Sequence, residues 1–221
     1  MNKLKTLMLA SVMSLFVAAI SHAEGFTGIY FGVTGGTAGA ELDGKYTDSN
    51  GDVTKGRGGV VSEIAGLDAG WNIGMGDSMS IGLGVNWFGG DAQIGKGDDA
   101  ADTADITITA EEFVNYYLQA NFIVSENTAI FAKVGTATAD LKYTGSAIGG
   151  TKPADMDGET WALGLMSTMG GNMFIKSEVG MTEYDTITVN DITGASGGGS
   201  TGDIVADPTL AYGLITIGYT F

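Results

Sequence analysis

Hydrophobic and polar residues alternate along several segments of the chain. From Met79 to Trp87 every second residue is apolar, and the residues between them are Ser, Gly and Asn. The same pattern runs from Val114 to Val124. A period of two places alternate side chains on opposite faces of a β-strand. Eight rows of this kind predict eight strands: Ile29 to Val33, Ala65 to Ile73, Met79 to Trp87, Val114 to Val124, Ile130 to Val134, Trp161 to Leu165, Met173 to Met181 and Ile215 to Phe221.

The connections between these predicted strands are alternately short and long. The short ones have the length and residue types of hairpin turns; they are Met75 to Ser78, Ser125 to Asn127 and Gly170 to Asn172. The long ones are polar and rich in Gly and Asp, and they cover residues 43–59, 89–109, 142–158 and 185–207. This order indicates an antiparallel up-and-down sheet with short turns at one end and long loops at the other.

Alternation fits either a soluble β-sandwich or a transmembrane barrel, and two further features favour the barrel. Glycines recur on the polar rows, where small residues help a narrow eight-stranded barrel to close; they are Gly28, Gly32, Gly66, Gly70, Gly82, Gly84, Gly135, Gly164, Gly180 and Gly218. Aromatic residues stand near both ends of the apolar rows, as membrane-interface girdles require. Trp87, Tyr116 and Trp161 lie at the long-loop end, and Phe31, Trp71, Phe122, Tyr219 and Phe221 at the short-turn end. The sequence therefore predicts an all-β, eight-stranded antiparallel transmembrane barrel; a soluble periplasmic β protein is the alternative.

The N-terminus has the pattern of a cleaved signal peptide. Lys3 and Lys5 precede an apolar run of 14 residues from Leu7 to Ile20, and small residues follow up to Ala23. A transmembrane helix needs about 20 apolar residues. We therefore expect residues 1–23 to be removed and residues 24–221 to form the barrel domain.

Composition restricts the chemistry of the mature chain. It contains no Cys, and the single His, His22, leaves with the signal peptide. Ser-His and Cys-His nucleophilic sites are thus excluded, and the commonest zinc ligands are absent. We expect no enzyme activity and no catalytic, cofactor or metal residues. Without Lys3 and Lys5, eight basic residues face 26 acidic ones, a net charge of 8 − 26 = −18, so nucleic acid is not an expected partner.

Several charged and amide side chains fall on the predicted inward face. Buried charges need partners, so we expect one lumen network composed of Asp68, Asn86, Asn115, Gln119, Asn121, Lys133, Lys176 and Glu178. Two interpretations stay open: a structural plug that fills the barrel, or a narrow gated ion path.

The second long connection is strongly acidic. Glu111 and Glu112 follow Asp91, Asp98, Asp99, Asp102 and Asp105, with only Lys96 to oppose them. Such a segment is either a solvated, repulsive surface or a site for divalent cations, which prefer clustered oxygen ligands and would bridge it to lipopolysaccharide phosphates.

The signal peptide, the eight strands and the terminal Gly218-Tyr219-Thr220-Phe221 resemble the small outer-membrane β-barrel proteins related to OmpA, OmpX and the opacity-type adhesins of Gram-negative bacteria. The resemblance implies that Ile215, Ile217, Tyr219 and Phe221 are the signal recognised by the barrel-assembly machinery. It also implies a monomer among outer-membrane lipids and lipopolysaccharide, with four acidic loops displayed for a structural or adhesin-like role. A narrow porin-like channel is the alternative. Lipid-modifying enzymes of this group use His or Ser-His chemistry, which the mature chain lacks.

Overall fold

The computed structural model describes residues 26–48, 50–89, 92–98, 105–145, 153–170, 172–193 and 201–221. The predicted signal peptide lies outside these residues. The described part is all-β, and it contains no helix that is long and apolar enough to cross a membrane. Its strands are β1 (Gly28–Asp48), β2 (Val53–Gly74), β3 (Met79–Gly89), β4 (Ala92–Asp98), β5 (Asp105–Ser125), β6 (Thr128–Gly145), β7 (Asp155–Thr168), β8 (Met173–Tyr184), β9 (Ile187–Thr193) and β10 (Thr201–Thr220).

Eight of these strands close into a ring. The order is β1-β2-β3-β5-β6-β7-β8-β10, all neighbours are antiparallel, and β10 pairs back onto β1. At the seam Phe31 lies opposite Tyr219, and the backbone N–H of Phe221 donates to the carbonyl of Ile29 at 2.8 Å. Closure removes the free edges that an open sheet would expose to lipid. The predicted eight-stranded up-and-down barrel is confirmed.

The three short connections are tight turns, as predicted. Between β2 and β3 the N–H of Met75 donates to the carbonyl of Met79 at 2.8 Å, and between β7 and β8 Met169 donates to Met173 at the same distance. Asn172 in the latter turn has a φ of 69°, a left-handed conformation that Asn tolerates better than most residues.

The long connections are not simply loops, which corrects the sequence-based prediction. β1 and β2 continue as a paired ladder to Thr47 and Val53, so most of residues 43–59 are strand. β4 pairs with β5, and β9 pairs with β10, within the second and fourth long connections. The sequence shows no apolar row on β2 from Val53 to Gly59, because the side chains there are exposed on both faces.

These extensions make the strands longer than a membrane requires. β1 has 21 residues, which at about 3.3 Å per residue is roughly 70 Å of strand. A tilted strand needs only about 10 residues to cross the apolar band of an outer membrane. The upper half of β1 therefore projects beyond the part of the barrel that carries the apolar outer surface.

A β-bulge separates the barrel part of β5 from its extension. The register of β5 against β6 shifts between Glu111 and Val114, and Glu112 has a φ of 51°. Below the bulge β5 pairs with β3 and directs Asn115 and Tyr117 inward; above it β5 pairs with β4, and Ile108 and Ala110 are the buried residues. The extra residue thus changes which alternate residues of β5 face the interior: odd-numbered ones below the bulge and even-numbered ones above it.

Candidate functional site: the interior of the barrel

The eight residues of the predicted lumen network all lie inside the ring. Each is at least nine-tenths buried, because each occupies the inward parity of its strand and alternates with an outward apolar residue. Three ring strands contribute the four charges: Asp68 is on β2, Lys133 on β6, and Lys176 and Glu178 on β8.

The four charged side chains form two ion pairs. Lys133 Nζ lies 2.5 Å from Glu178 Oε2, and Lys176 Nζ lies 2.6 Å from Asp68 Oδ2. All four side chains are nearly inaccessible to solvent. Buried charges are tolerated when each has a partner of opposite sign and further hydrogen bonds. Each of the four charges has an oppositely charged partner, but Glu178 Oε1 has no hydrogen-bond partner in the described part of the chain.

Two tyrosines contact the charged side chains, and the sequence analysis did not place them there. We call the six residues Tyr30, Asp68, Tyr117, Lys133, Lys176 and Glu178 the charged layer. The Tyr117 hydroxyl donates to Asp68 Oδ1, and the hydroxyls of Tyr30 and Tyr117 are 2.6 Å apart. Lys133 Nζ lies 4.2 Å from the centre of the Tyr117 ring, and Lys176 Nζ lies 4.9 Å from that of Tyr30. Such cation–π contacts favour a desolvated ammonium group.

A signal for these tyrosines exists in the sequence. Tyr30 lies against Gly70, and Tyr117 lies against Gly84, so that a Cβ at either glycine would collide with the phenol ring. Tyr30 and Tyr117 are aromatic residues on inward rows that otherwise carry small or amide residues. A large residue on such a row, facing glycines on a neighbouring strand, predicts that its ring crosses the interior.

The amides form a separate cluster. Gln119 Nε2 donates to Asn121 Oδ1 at 2.5 Å, and Asn121 Nδ2 donates to Ser80 Oγ at 2.9 Å. Asn86 and Asn115 are buried as well, but within the described residues neither bonds to the four charged groups. The structure therefore divides the expected single network into a charged layer and an amide cluster.

Apolar groups fill the interior at both ends. Near the short turns Phe26, Phe131, Met166 and Phe174 form a fully buried cluster, and Phe174 meets Tyr30 edge to face at 5.7 Å. Toward the strand extensions lies a second and larger cluster. Its main members are Ala38, Phe88, Ile94, Ile108, Ala110, Phe113, Ala139, Leu141, Met156, Tyr184, Ile187, Val189, Tyr212 and Leu214. Neither apolar cluster was predicted from the sequence.

The second cluster encloses a cavity of about 10 Å³. It is lined by Ala38, Ile64, Phe88, Phe113, Asn115, Tyr184, Leu210 and Tyr212. A volume of this size holds about one water molecule. The Tyr184 hydroxyl is buried and has no hydrogen-bond partner in the described part of the chain. Burial raises the pKa of this phenol well above its usual value, so it remains a neutral donor.

The outer surface is apolar and carries the predicted aromatic residues. Trp87, Tyr116 and Trp161 are exposed at one end of the apolar band, and Phe31, Trp71, Tyr219 and Phe221 at the other, whereas Phe122 is half-buried. Ile215 and Ile217 are exposed on the same face of β10 as Tyr219 and Phe221, whose rings are 5.2 Å apart. Soluble monomers rarely expose contiguous apolar patches above a few hundred Å², so this surface is suited to lipid.

The described residues do not support the interpretation of the acidic connection as a divalent-cation site. Asp91, Asp99 and Asp102 lie outside them, and the side chains of Lys96, Asp98 and Asp105 are not described. Glu111 Oε1 accepts a hydrogen bond from Lys142 Nζ at 2.8 Å, and Glu112 is exposed. Across the described side chains no group of three or more metal-ligating residues occurs.

Comparison with known proteins identifies the architecture. No protein-family model matches the chain, and no curated protein matches it. The outer membrane protein OprG from Pseudomonas aeruginosa superposes with a TM-score of 0.57 at 15% identity, over 92% of this chain and 100% of OprG. The fold is that of an outer-membrane β-barrel.

Two other outer-membrane proteins superpose with lower TM-scores. Ail of Yersinia pestis, the attachment invasion locus protein, superposes with a TM-score of 0.46 at 11% identity, over 88% of this chain and 99% of Ail. The outer membrane protease OmpT of Escherichia coli gives a TM-score of 0.40 at 9% identity, over 88% of this chain and 97% of OmpT.

Proposed function

We propose that this β-barrel is a non-enzymatic protein of the Gram-negative outer membrane that anchors extended β-hairpins at the cell surface, in a structural or adhesin-like role. The observation that carries the proposal is a closed ring with an apolar outer band and a filled interior. A ring of this kind requires lipid outside and leaves the projecting strands as the part available to partners. Its partners in the membrane are lipids and lipopolysaccharide, and the barrel-assembly machinery inserts it.

The packing of the interior supports a plug rather than a channel. Asp68, Lys176, Gln119, Asn121 and Phe131 each expose at most 1% of their surface, so no water-sized space adjoins them. The charged layer also lies between two apolar clusters. A conducting path needs continuous hydrated space, so we expect no channel events in planar bilayers from the wild type or from Lys176→Ala. Stepwise conductance in the wild type would favour the porin-like alternative.

The chemistry of the interior supports the absence of catalysis. The buried carboxylates Asp68 and Glu178 are each paired with a lysine, so neither is available as a general acid or base. The mature chain also lacks His and Cys, which removes the usual nucleophilic dyads.

Membrane insertion and export are tested together by fractionation. Expressed with its own N-terminus in a Gram-negative host, the protein should sediment with outer membranes and should begin at Glu24. Its migration on a denaturing gel should change on heating, because a closed barrel resists detergent until heated. Recovery in the soluble periplasm with heat-independent migration would establish the soluble β-protein alternative.

A further inference from the structure

One edge of the projecting sheet has no partner strand in the part of the chain that the structure describes, although β4 lies near β2. β2 pairs with β1 along its whole length, but its ladder with β3 covers only Ala65–Gly74. From Val53 to Ile64, β2 has no ladder on its other side within the described residues. An unpaired edge presents a row of free backbone N–H and C=O groups to another strand.

The side chains of this edge leave the backbone accessible. Gly56 and Gly58 have open space around them, and Val61 is 77% exposed although it lies beyond the apolar band. Val53 is also largely exposed. These residues offer an accessible and partly apolar edge of the kind that accepts a further strand.

The charges on the edge are incompletely paired. Lys55 lies directly opposite Lys45 of β1, and both are exposed. Within the described residues neither lysine forms an ion pair, and Glu63 on the same outward face forms none either. Arg57, by contrast, donates from Nε to Glu41 Oε1 at 2.7 Å. Like charges directly opposite each other destabilise a strand pair, so a carboxylate brought next to Lys55 would stabilise this sheet.

In a second copy of the chain, the same edge strand carries a carboxylate, Glu63, that can lie next to Lys55. Lys55 and Glu63 are equally spaced about Gly59. In an antiparallel pairing centred on Gly59, Lys55 of each copy lies opposite Glu63 of the other, and Arg57 lies opposite Val61. Both charges that lack a partner are then paired, and the stem of Arg57 covers the exposed valine.

We propose that β2 binds β2 of a second copy of this chain, in antiparallel register centred on Gly59, between barrels in two facing membranes. Strands joined in this way are related by a twofold axis perpendicular to the sheet. Because the strands cross the membrane, that axis lies in the membrane plane and inverts one copy. The protein therefore stays monomeric within one membrane, and the contact joins two membranes.

The length of β2 determines the distance between the two facing membranes. Leu67 lies level with Trp87 of the outer girdle, and Gly59 is eight residues further along the strand. At about 3.3 Å per residue and a tilt of about 40°, Gly59 stands roughly 20 Å above the girdle. Two copies would hold the girdles of facing bilayers about 40 Å apart, so the contact requires surfaces without long polysaccharide.

Charge-swap variants test the pairing. The full mature chain and its variants are reconstituted into two differently labelled phosphatidylcholine vesicle populations without lipopolysaccharide, and vesicle clustering is measured by light scattering and colocalisation. Wild-type vesicles should cluster. With Lys55→Glu alone or Glu63→Lys alone, clustering should fall to the level of protein-free vesicles. In either case residues 55 and 63, which lie opposite each other in both halves of the pairing, carry the same charge. A mixture of the two single variants should cluster again, since both of its cross-pairs are attractive.

The controls separate this inference from the proposed function on which it rests. Asp157→Lys changes the charge by the same amount as Glu63→Lys but lies on β7, which is paired on both sides, so it should leave clustering unchanged. Heat-modifiable migration of every variant shows that the barrel has inserted. Inserted wild-type protein that does not cluster, or single variants that cluster like the wild type, would overturn the pairing while leaving the barrel's proposed role intact. In that case the charge of Lys55 prevents the edge from pairing with another strand, as lysines on edge strands commonly do.

Discussion

At the scale of residues, the interior lysines combine two kinds of stabilisation. Lys176 meets the carboxylate of Asp68 and the ring of Tyr30, and Lys133 meets Glu178 and the ring of Tyr117. The carboxylate compensates the charge, and the ring replaces part of the lost hydration. Removing one partner therefore leaves the other buried without compensation.

Lys176→Ala should lower the free energy of unfolding by about 3–5 kcal/mol, the cost of stranding a buried charge. Asp68→Asn combined with Lys176→Met removes both charges and should lose much less. Urea unfolding in lipid vesicles measures both. Lys142→Ala serves as the control, because Lys142 pairs with Glu111 at the surface, where such pairs contribute about 0–1 kcal/mol. Equal losses for Lys176→Ala and Lys142→Ala would refute a stabilising role for the buried pair.

Asp48 gives the exposed β1–β2 turn a dependence on pH. The hydrogen bond from the N–H of Asp52, supported by one from Asn50, lowers the pKa of the Asp48 carboxyl below its usual value. Since the folded pKa is the lower one, the stabilisation is complete above the unfolded value of about 4 and is lost as pH falls through the folded pKa. Amide exchange at Asp52 should therefore accelerate, relative to β-strand amides elsewhere, below about pH 4. Asp48→Ala should show fast exchange at all pH values; slow exchange in that variant would contradict the role of the carboxylate.

At the scale of elements, the bulge in β5 joins two segments in which opposite sets of alternate residues face the interior. Glu112 holds a left-handed φ of 51° that a side chain disfavours, and this one residue lets Ala110 and Phe113 both face inward. Deleting it would turn the apolar residues of the upper strand toward solvent.

Glu112→Gly should therefore stabilise the protein slightly, by up to about 1 kcal/mol, because glycine adopts this conformation without strain. Deletion of Glu112 should instead expose the apolar face of upper β5 and increase binding of a hydrophobic dye, while the barrel itself remains heat-modifiable. Unfolding midpoints and dye fluorescence distinguish the two variants. A deletion variant with wild-type dye binding would show that the bulge does not set the parity of the extension.

At the scale of the whole molecule, the sequence predicts the barrel well because lipid on one side and a packed lumen on the other impose a period of two. It does not predict the length of the β1–β2 hairpin, since Gly56 and Gly58 stand at a tip where both faces meet water. The upper apolar cluster had a sequence signal: Ile187 and Val189 alternate with Thr188 and Asn190. The length and polarity of the surrounding segment concealed it. Which lysine pairs with which carboxylate depends on the stagger between strands, and a single strand does not encode that stagger.

Phe221→Ala should impair membrane assembly, because β10 closes the ring and Phe221 ends its lipid-facing row beside Tyr219. We expect a smaller heat-modifiable fraction in outer membranes and more unfolded protein in the periplasm. Thr220→Ser, an inward position on the same strand, is the matched control. Wild-type insertion of Phe221→Ala would show that the terminal aromatic residue is not part of the assembly signal.

The continuity of β1 from the membrane to the projecting tip has a mechanical consequence. Its ladder with β10 extends without interruption from the pair Tyr30 and Thr220 to the pair Asp48 and Gly202. A pull on the tip, directed away from the cell, therefore acts along the strands and loads the hydrogen bonds of this ladder in shear, all at once. Pulling at the tip should not peel the hairpin open bond by bond, so the projection transmits tension directly to the wall of the barrel.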